Sequence, residues 1–105
     1  ILSYNSDTAM GVDAYVMSLN SPIKDKSHFA TFSVDFNPAV ANALKKSVNN
    51  ESVWRGCVMM GTGLDHLFQN IVDKSIQALD GTLESKDDYA ELFEITPDNV
   101  DEFMN

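Results

Sequence analysis

The alternation of apolar and polar positions along the chain predicts eight short elements. Ile1 to Tyr4 is a brief apolar run that breaks at Asn5-Ser6-Asp7. Ser6 or Asp7 can cap a helix running to about Ser18, with Ala9, Val12, Val16 and Leu19 at helical spacing. Asn20-Ser21-Pro22 ends it, because proline restricts the residue before it and has no N–H to donate. Phe29 to Val34 is aromatic and β-branched and reads as a strand. Asn37-Pro38 starts a helix, with an amide as cap and proline at the first helical position, and Val40, Leu44 and Val48 share one face. Val53 to Met60 is a second clear strand. Gly61-Thr62-Gly63 leads into the best helix of the chain, where Leu64, Leu67, Phe68, Ile71, Val72, Ile76 and Leu79 form one apolar stripe. Gly81 is placed to stop that helix in the left-handed conformation. Ala90 to Ile95 reads as a last strand, and Thr96-Pro97 can start a short terminal helix through Phe103.

Strands alternating with helices favour an α/β architecture, a parallel sheet sandwiched by flanking helices. In such sheets ligands bind beyond the carboxyl ends of the strands. Three positions fit that rule: Asn5, Asp35 and the stretch from Met60 to Thr62. An amide offers both donor and acceptor, and a carboxylate accepts two directed hydrogen bonds, which suits adjacent hydroxyls of a sugar. The competing reading is structural. Asn5 would cap a turn, and Asp35 would open an Asx-turn ahead of Asn37-Pro38.

Charge removes whole classes of partner. The 105 residues hold 16 acidic and 7 basic side chains, a formal charge of −9, with no Lys/Arg stripe for phosphate, so nucleic acid and anionic membrane surfaces are disfavoured. No apolar run approaches the roughly 18 to 20 residues that span a bilayer. The single cysteine, Cys57, excludes an intrachain disulfide.

Other motifs favour bland readings. Gly61-Thr62-Gly63 before a helix suggests a dinucleotide fingerprint, but His66 stands where a third glycine is needed. Cys57 with His66 or His28 could suggest a thiol nucleophile, yet Cys57 sits in an apolar strand and reads as a small core residue. Asp87-Asp88 and Asp98 to Glu102 lack the spaced ligands and turn glycine of a calcium loop and read as solvated surface; no metal or cofactor is expected. Asn50-Glu51-Ser52 is formally a glycosylation acceptor. Met10, Met17, Met59 and Met60 are most simply core residues.

Four segments in order also resemble one family. Ile1-Leu2-Ser3-Tyr4-Asn5-Ser6-Asp7-Thr8-Ala9-Met10-Gly11 resembles the second-lobe motif of type 1 periplasmic sugar-binding proteins, an apolar strand entering an Asn-Asp-x-x-Ala-x-Gly turn and helix. Phe32-Ser33-Val34-Asp35-Phe36-Asn37-Pro38 resembles that family's strand ending in aspartate. Arg55-Gly56-Cys57-Val58-Met59-Met60 resembles its next strand, which runs into an interlobe hinge, and Ile95-Thr96-Pro97-Asp98-Asn99-Val100-Asp101-Glu102-Phe103 its C-terminal ending. The chain departs from the pattern at Ser6, where an aspartate is usual, and at the hinge, where Met59, Met60 and Thr62 stand in place of a polar amide.

The resemblance implies the C-terminal part of a two-lobed, non-enzymatic receptor for a small sugar or polyol, feeding an ABC-type permease. Its ligand contacts would be Asn5, Asp35 and Thr62, and its hinge Met59, Met60 and Gly61. Residues 1–59 would belong to the C-terminal lobe, 60–90 to the hinge and a helix packing in the N-terminal lobe, and 91–105 to the return strand and tail. A first lobe and much of the second would precede Ile1, and the protein would be periplasmic or extracellular, or lipid-anchored through that preceding part. The stripe at Leu64, Leu67, Phe68 and Ile71 would be covered by the missing lobe or a second copy, and this chain alone would bind sugar weakly or not at all. The rival readings are the effector-binding domain of a LacI-type repressor, which shares the fold, and, more remotely, a small nucleotide-dependent α/β enzyme using Gly61-Thr62-Gly63 and His66.

Overall fold

A computed structural model describes residues 1–61, 64–85 and 89–104, with the side chain of Leu64 outside the description. Its elements are β1 (Leu2–Ser3), α1 (Ser6–Met17), β2 (Thr31–Val34), α2 (Pro38–Ser47), β3 (Trp54–Met60), α3 (Leu64–Asp80), β4 (Leu92–Ile95) and a 3₁₀ turn at Val100–Phe103. The chain is an α/β protein with one four-stranded sheet in the order β1-β2-β3-β4. It divides into two compact units, residues 1–58 with 94–105, and residues 59–93.

The sheet is mixed, where an all-parallel one was expected. β1 runs parallel to β2 and β2 to β3, with Leu2 opposite Phe32, Ser3 opposite Ser33 and Ser33 opposite Cys57. β4 runs against β3. The Gly61 N–H donates to the Glu91 carbonyl at 2.8 Å, while the Ile95 carbonyl lies beside Gly56, so numbers fall along β4 as they rise along β3. A parallel fourth strand needs a crossover to the far end of the sheet. Here the chain re-enters at the edge it left.

In the first unit, both parallel crossovers carry a helix. Such crossovers are right-handed, and two taken in sequence place α1 and α2 on the same face. Ala9 and Val16 of α1 and Val40, Ala41 and Leu44 of α2 are buried there with Trp54, Cys57, Ile95 and Val100. The buried Ser33 hydroxyl accepts a hydrogen bond from the Trp54 indole at 3.2 Å. The opposite face carries Leu2, Phe32 and Gly56 in one row and Val34 and Val58 in the next. Leu2, Phe32 and Val34 remain exposed. The expected sandwich is therefore corrected for this unit: its helices cover one side.

Several local expectations shift for the same kind of reason. The cap of α1 is Asn5, not Ser6 or Asp7. The helix stops at Met17, where the Ser18 hydroxyl bonds the Tyr15 carbonyl at 2.8 Å, so Leu19 falls in solvent. Val48 likewise lies past the end of α2 and is exposed. Met10 and Met60 are exposed and Met17 and Met59 half-buried, so these methionines are not core: Ala9 rather than Met10 faces the sheet, and Met60 ends β3 beyond the packed region. The terminal segment makes a 3₁₀ turn, and ahead of it the Asn99 side chain accepts from the Thr96 N–H at 2.8 Å and donates to the Glu94 carbonyl at 2.9 Å. The Phe103 ring meets Phe36 edge-on at 6.3 Å.

Side chains from α1 and β3 tie the connections down. Asp13 accepts from the Ser52 hydroxyl at 2.9 Å and the Val53 N–H at 2.7 Å, joining α1 to the start of β3. Arg55 donates to the Ser47 carbonyl and to the Asn50 side-chain oxygen at 2.8 Å. Asn50 of the glycosylation triplet is thus engaged by its own fold. Lys26 donates to the Val16 and Ile23 carbonyls, so its ammonium closes the C-terminal end of α1.

In the second unit, Gly81 ends α3 at φ 73°, as its position suggested, with the Thr82 and Leu83 N–H groups returning to the Gln77 carbonyl. Phe68, Ile71, Val72, Ile76 and Leu79 of the stripe are exposed and Leu67 is half-buried. Among the described residues no helix is long and apolar enough to cross a membrane.

Asp13→Ala leaves the Val53 N–H and the Ser52 hydroxyl without an acceptor and is expected to lower stability by about 1 to 3 kcal/mol. Asp13→Asn keeps an oxygen at the same place and is expected to lose much less. Urea denaturation of both variants checks this, and equal losses would refute the acceptor role.

Candidate functional site

β1 and β2 end side by side, and Asn5 and Asp35 lie at their carboxyl edge. Asn5 and Asp35 each stand two residues past the registered pair Ser3–Ser33, at equivalent places on neighbouring parallel strands. Such strands lie about 4.8 Å apart. The two turns are also joined directly: Asn37, the cap of α2, donates through Nδ2 to the Ser6 hydroxyl at 3.2 Å while its Oδ1 accepts from the Ala39 and Val40 N–H groups. Ser6 is buried, and its hydroxyl serves this tie.

Asn5 fills the structural role anticipated for it. Its Oδ1 accepts from the Thr8 N–H at 3.0 Å and the Thr8 hydroxyl at 2.7 Å, while its own N–H donates to the Thr8 hydroxyl oxygen at 3.3 Å, a capping box. The capping spends the oxygen. Among the described residues no acceptor takes the Nδ2 protons, so the amide offers donors at the sheet edge.

Asp35 does not make the anticipated Asx-turn. Its N–H donates to the Val58 carbonyl at 3.0 Å, and the turn after it is held by Asn37 instead. Its backbone sits at φ 77°, a left-handed conformation that glycine adopts freely and that, among L-residues, asparagine and aspartate tolerate better than most. The side chain is exposed, and among the described residues its carboxylate accepts no hydrogen bond and joins no ion pair. A left-handed residue with an unspent carboxylate at a strand end stands out from its neighbours.

Beneath Asp35, Cys57 is buried opposite Ser33. Burial first, and the Asp35 charge second, push its thiol up to about 11. It is protonated at neutral pH, which removes the nucleophile that a thiol mechanism needs.

The remaining expected positions fall as follows. Thr62 and Gly63, and Asp87 and Asp88, lie outside the described residues. In the second unit, Met59 is half-buried, Met60 exposed, and Gly61 buried at φ 69°. His66 is exposed in the first turn of α3. Among the described residues no three His, Cys, Asp or Glu side chains gather as metal ligands do. Asp25, Ser27 and His28 do meet, with the Ser27 hydroxyl 2.5 Å from Asp25 Oδ1 and His28 Nδ1 2.7 Å from Oδ2. The Ser27 hydroxyl, then His28, hold the Asp25 carboxyl down to about 2. All three are exposed, and both partners bond the carboxylate, so the cluster is a turn lock without an activated hydroxyl.

Sequence reasoning located Asn5 and Asp35 but missed the Ser6–Asn37 tie, which joins residues 31 apart. Nothing local signals it. No protein-family model, curated protein or solved structure matches the chain.

Two outcomes follow from this geometry. Asp35→Gly removes the carboxylate yet suits the left-handed backbone, and is expected to change stability by less than about 1 kcal/mol, whereas Asp35→Val is expected to cost about 1 to 2 kcal/mol. Urea denaturation separates them; a large loss on Asp35→Gly would mean that the carboxylate holds the fold. Cys57 has its pKa raised in the folded state from 9.0 to about 11, so its contribution is whole below pH 9 and lost as pH rises through that window. Thermal melts from pH 8 to 11 are expected to fall more steeply for the native chain than for Cys57→Ser.

Proposed function

We propose that the chain forms one wall of a cleft for a small sugar or polyol, in a two-lobed receptor of the type 1 periplasmic kind that serves an ABC-type permease. The observation that carries this reading is the pairing of Asn5 and Asp35 at equivalent ends of adjacent parallel strands, one with unspent donors and the other with an unspent carboxylate. Vicinal hydroxyls match that pair. Two of them can donate to the Asp35 oxygens while a third, or the ring oxygen, accepts from Asn5 Nδ2.

The likeness of four ordered segments to that family supports the same assignment. Thr62 is the third ligand contact in this reading, and Met59, Met60 and Gly61 form the hinge. Closure of two lobes around the ligand stabilises one conformation by the difference in its affinity for open and closed forms, and the permease recognises the closed one. No bond is made or broken. The large negative charge disfavours anionic ligands and is indifferent to neutral ones.

The test is an NMR titration of the isotope-labelled chain with D-ribose, D-galactose, D-glucose and sorbitol in turn. With one wall only, the expected affinity is weak, a Kd of about 1 mM or more, with shifts confined to the Asn5 side-chain amide and the backbone around Asp35. Asp35→Ala is expected to abolish them. The reading fails if a sugar shifts resonances away from this edge instead, or if the shifts survive that substitution.

A further inference from the structure

The registered pairing of β1 with β2 ends at Ser3–Ser33, so the places of Asn5 and Asp35 depend on what holds the turns that carry them. The first turn is bound to its own helix. Asn5 Oδ1 takes the Thr8 N–H and hydroxyl, and the Asn5 carbonyl takes the Ala9 N–H at 3.2 Å. The second turn is bound elsewhere: the Asp35 N–H reaches the Val58 carbonyl on β3, and Asn37 caps α2. Among the described residues one side-chain hydrogen bond joins the two turns, from Asn37 Nδ2 to the Ser6 hydroxyl at 3.2 Å.

The Asn37 amide has no freedom to turn over. Its Oδ1 meets the Ala39 and Val40 N–H groups at 2.9 and 3.1 Å, and those helix-end donors need an oxygen. Nδ2 is therefore left for Ser6. Ser6 directly follows Asn5 and is buried at 8% exposure, while Asn37 stands two residues past Asp35. One rigid amide thus spans from the turn of Asp35 to the turn of Asn5.

We infer that Asn37 is a positioning residue for the ligand pair: its bond to Ser6 fixes the separation of Asn5 and Asp35. The inference rests on the sugar reading for its ligand and adds what sets the pair apart at the right distance. Two contacts held in place beforehand spare the ligand the cost of ordering them, so loss of the bond weakens binding without unfolding the chain.

The test uses Ser6→Ala, which removes the acceptor, and Asn37→Ser, which keeps a capping oxygen on a side chain too short to span to Ser6. NMR titration with D-ribose, D-galactose, D-glucose and sorbitol is expected to give a Kd about three- to tenfold higher for each variant. The double variant is expected to lose no more than either single one, because both act through one bond. Asp13→Ala, which loosens the fold at the start of β3, is expected to bind as the native chain does. Native affinity in both single variants, or a double loss equal to the product of the single ones, overturns the inference.

A second measurement needs no sugar. Asp35→Asn, which suits the left-handed backbone, is expected to move the Asn5 side-chain amide resonances, and to move them by less than half as much when Ser6→Ala is also present. Equal movement in both backgrounds overturns the inference whether or not sugar binds. Sugar shifts away from this edge, with the movement lost in Ser6→Ala, sink the sugar reading instead and leave the hold of Asn37 on the two turns standing.

Discussion

A parallel connection between neighbouring strands turns right-handed, and two that advance in the same direction put their helices on one side of the sheet. From that constraint the first unit follows. β1, β2 and β3 advance in sequence order, so α1 and α2 share a face, and the apolar residues facing them become the core. The same three strands point one way, so the turns that follow β1 and β2 meet at one edge. The helices begin there, and their N-terminal N–H groups need acceptors. Asn5 and Asn37 supply them, and the second asparagine also reaches the buried Ser6 hydroxyl. Capping and the candidate ligand contacts therefore fall close together on the chain.

The edge is organised by what each polar atom has left to give. Asn5 spends its oxygen on Thr8, and Asn37 spends both ends, on α2 and on Ser6. Asp35 spends neither oxygen on any described residue, although its backbone is bound to β3 and held left-handed. A charge kept out of the local network, on a backbone that a glycine would adopt more easily, is the feature that sets this edge apart from an ordinary run of capped turns. Its effect reaches downward as well, through the buried Cys57 thiol.

Much of this was legible in the residues, and what was not has identifiable causes. Asn37-Pro38 carries its own helix start, and Gly81 its own helix end, so both were readable one position at a time. The period of the stripe from Leu64 to Leu79 marked α3 just as directly. Strand direction is not written in any short window, so nothing in Ala90 to Ile95 said that β4 would run against β3. Nor does a helix announce which side of a sheet it will take; that depends on strand order, which is why the expected sandwich became a covered face and an open one. The site divides in the same way. Ending a strand with Asn5 or Asp35 is a local signal, but the left-handed backbone of Asp35 and the bond from Asn37 to Ser6 depend on neighbours brought together by pairing.

Gly56 shows how little slack the sheet has at its middle. A β-carbon there would stand 3.2 Å from Cδ1 of Phe32 and 3.3 Å from the Ile95 carbonyl oxygen, one on each neighbouring strand. The missing side chain is a notch that the phenyl ring of β2 occupies, and the spacing of three strands is set around it. Divergence could rewrite the outer surface of α1 far more freely, while at this one position even the smallest methyl would have to displace an aromatic ring and a main-chain oxygen together.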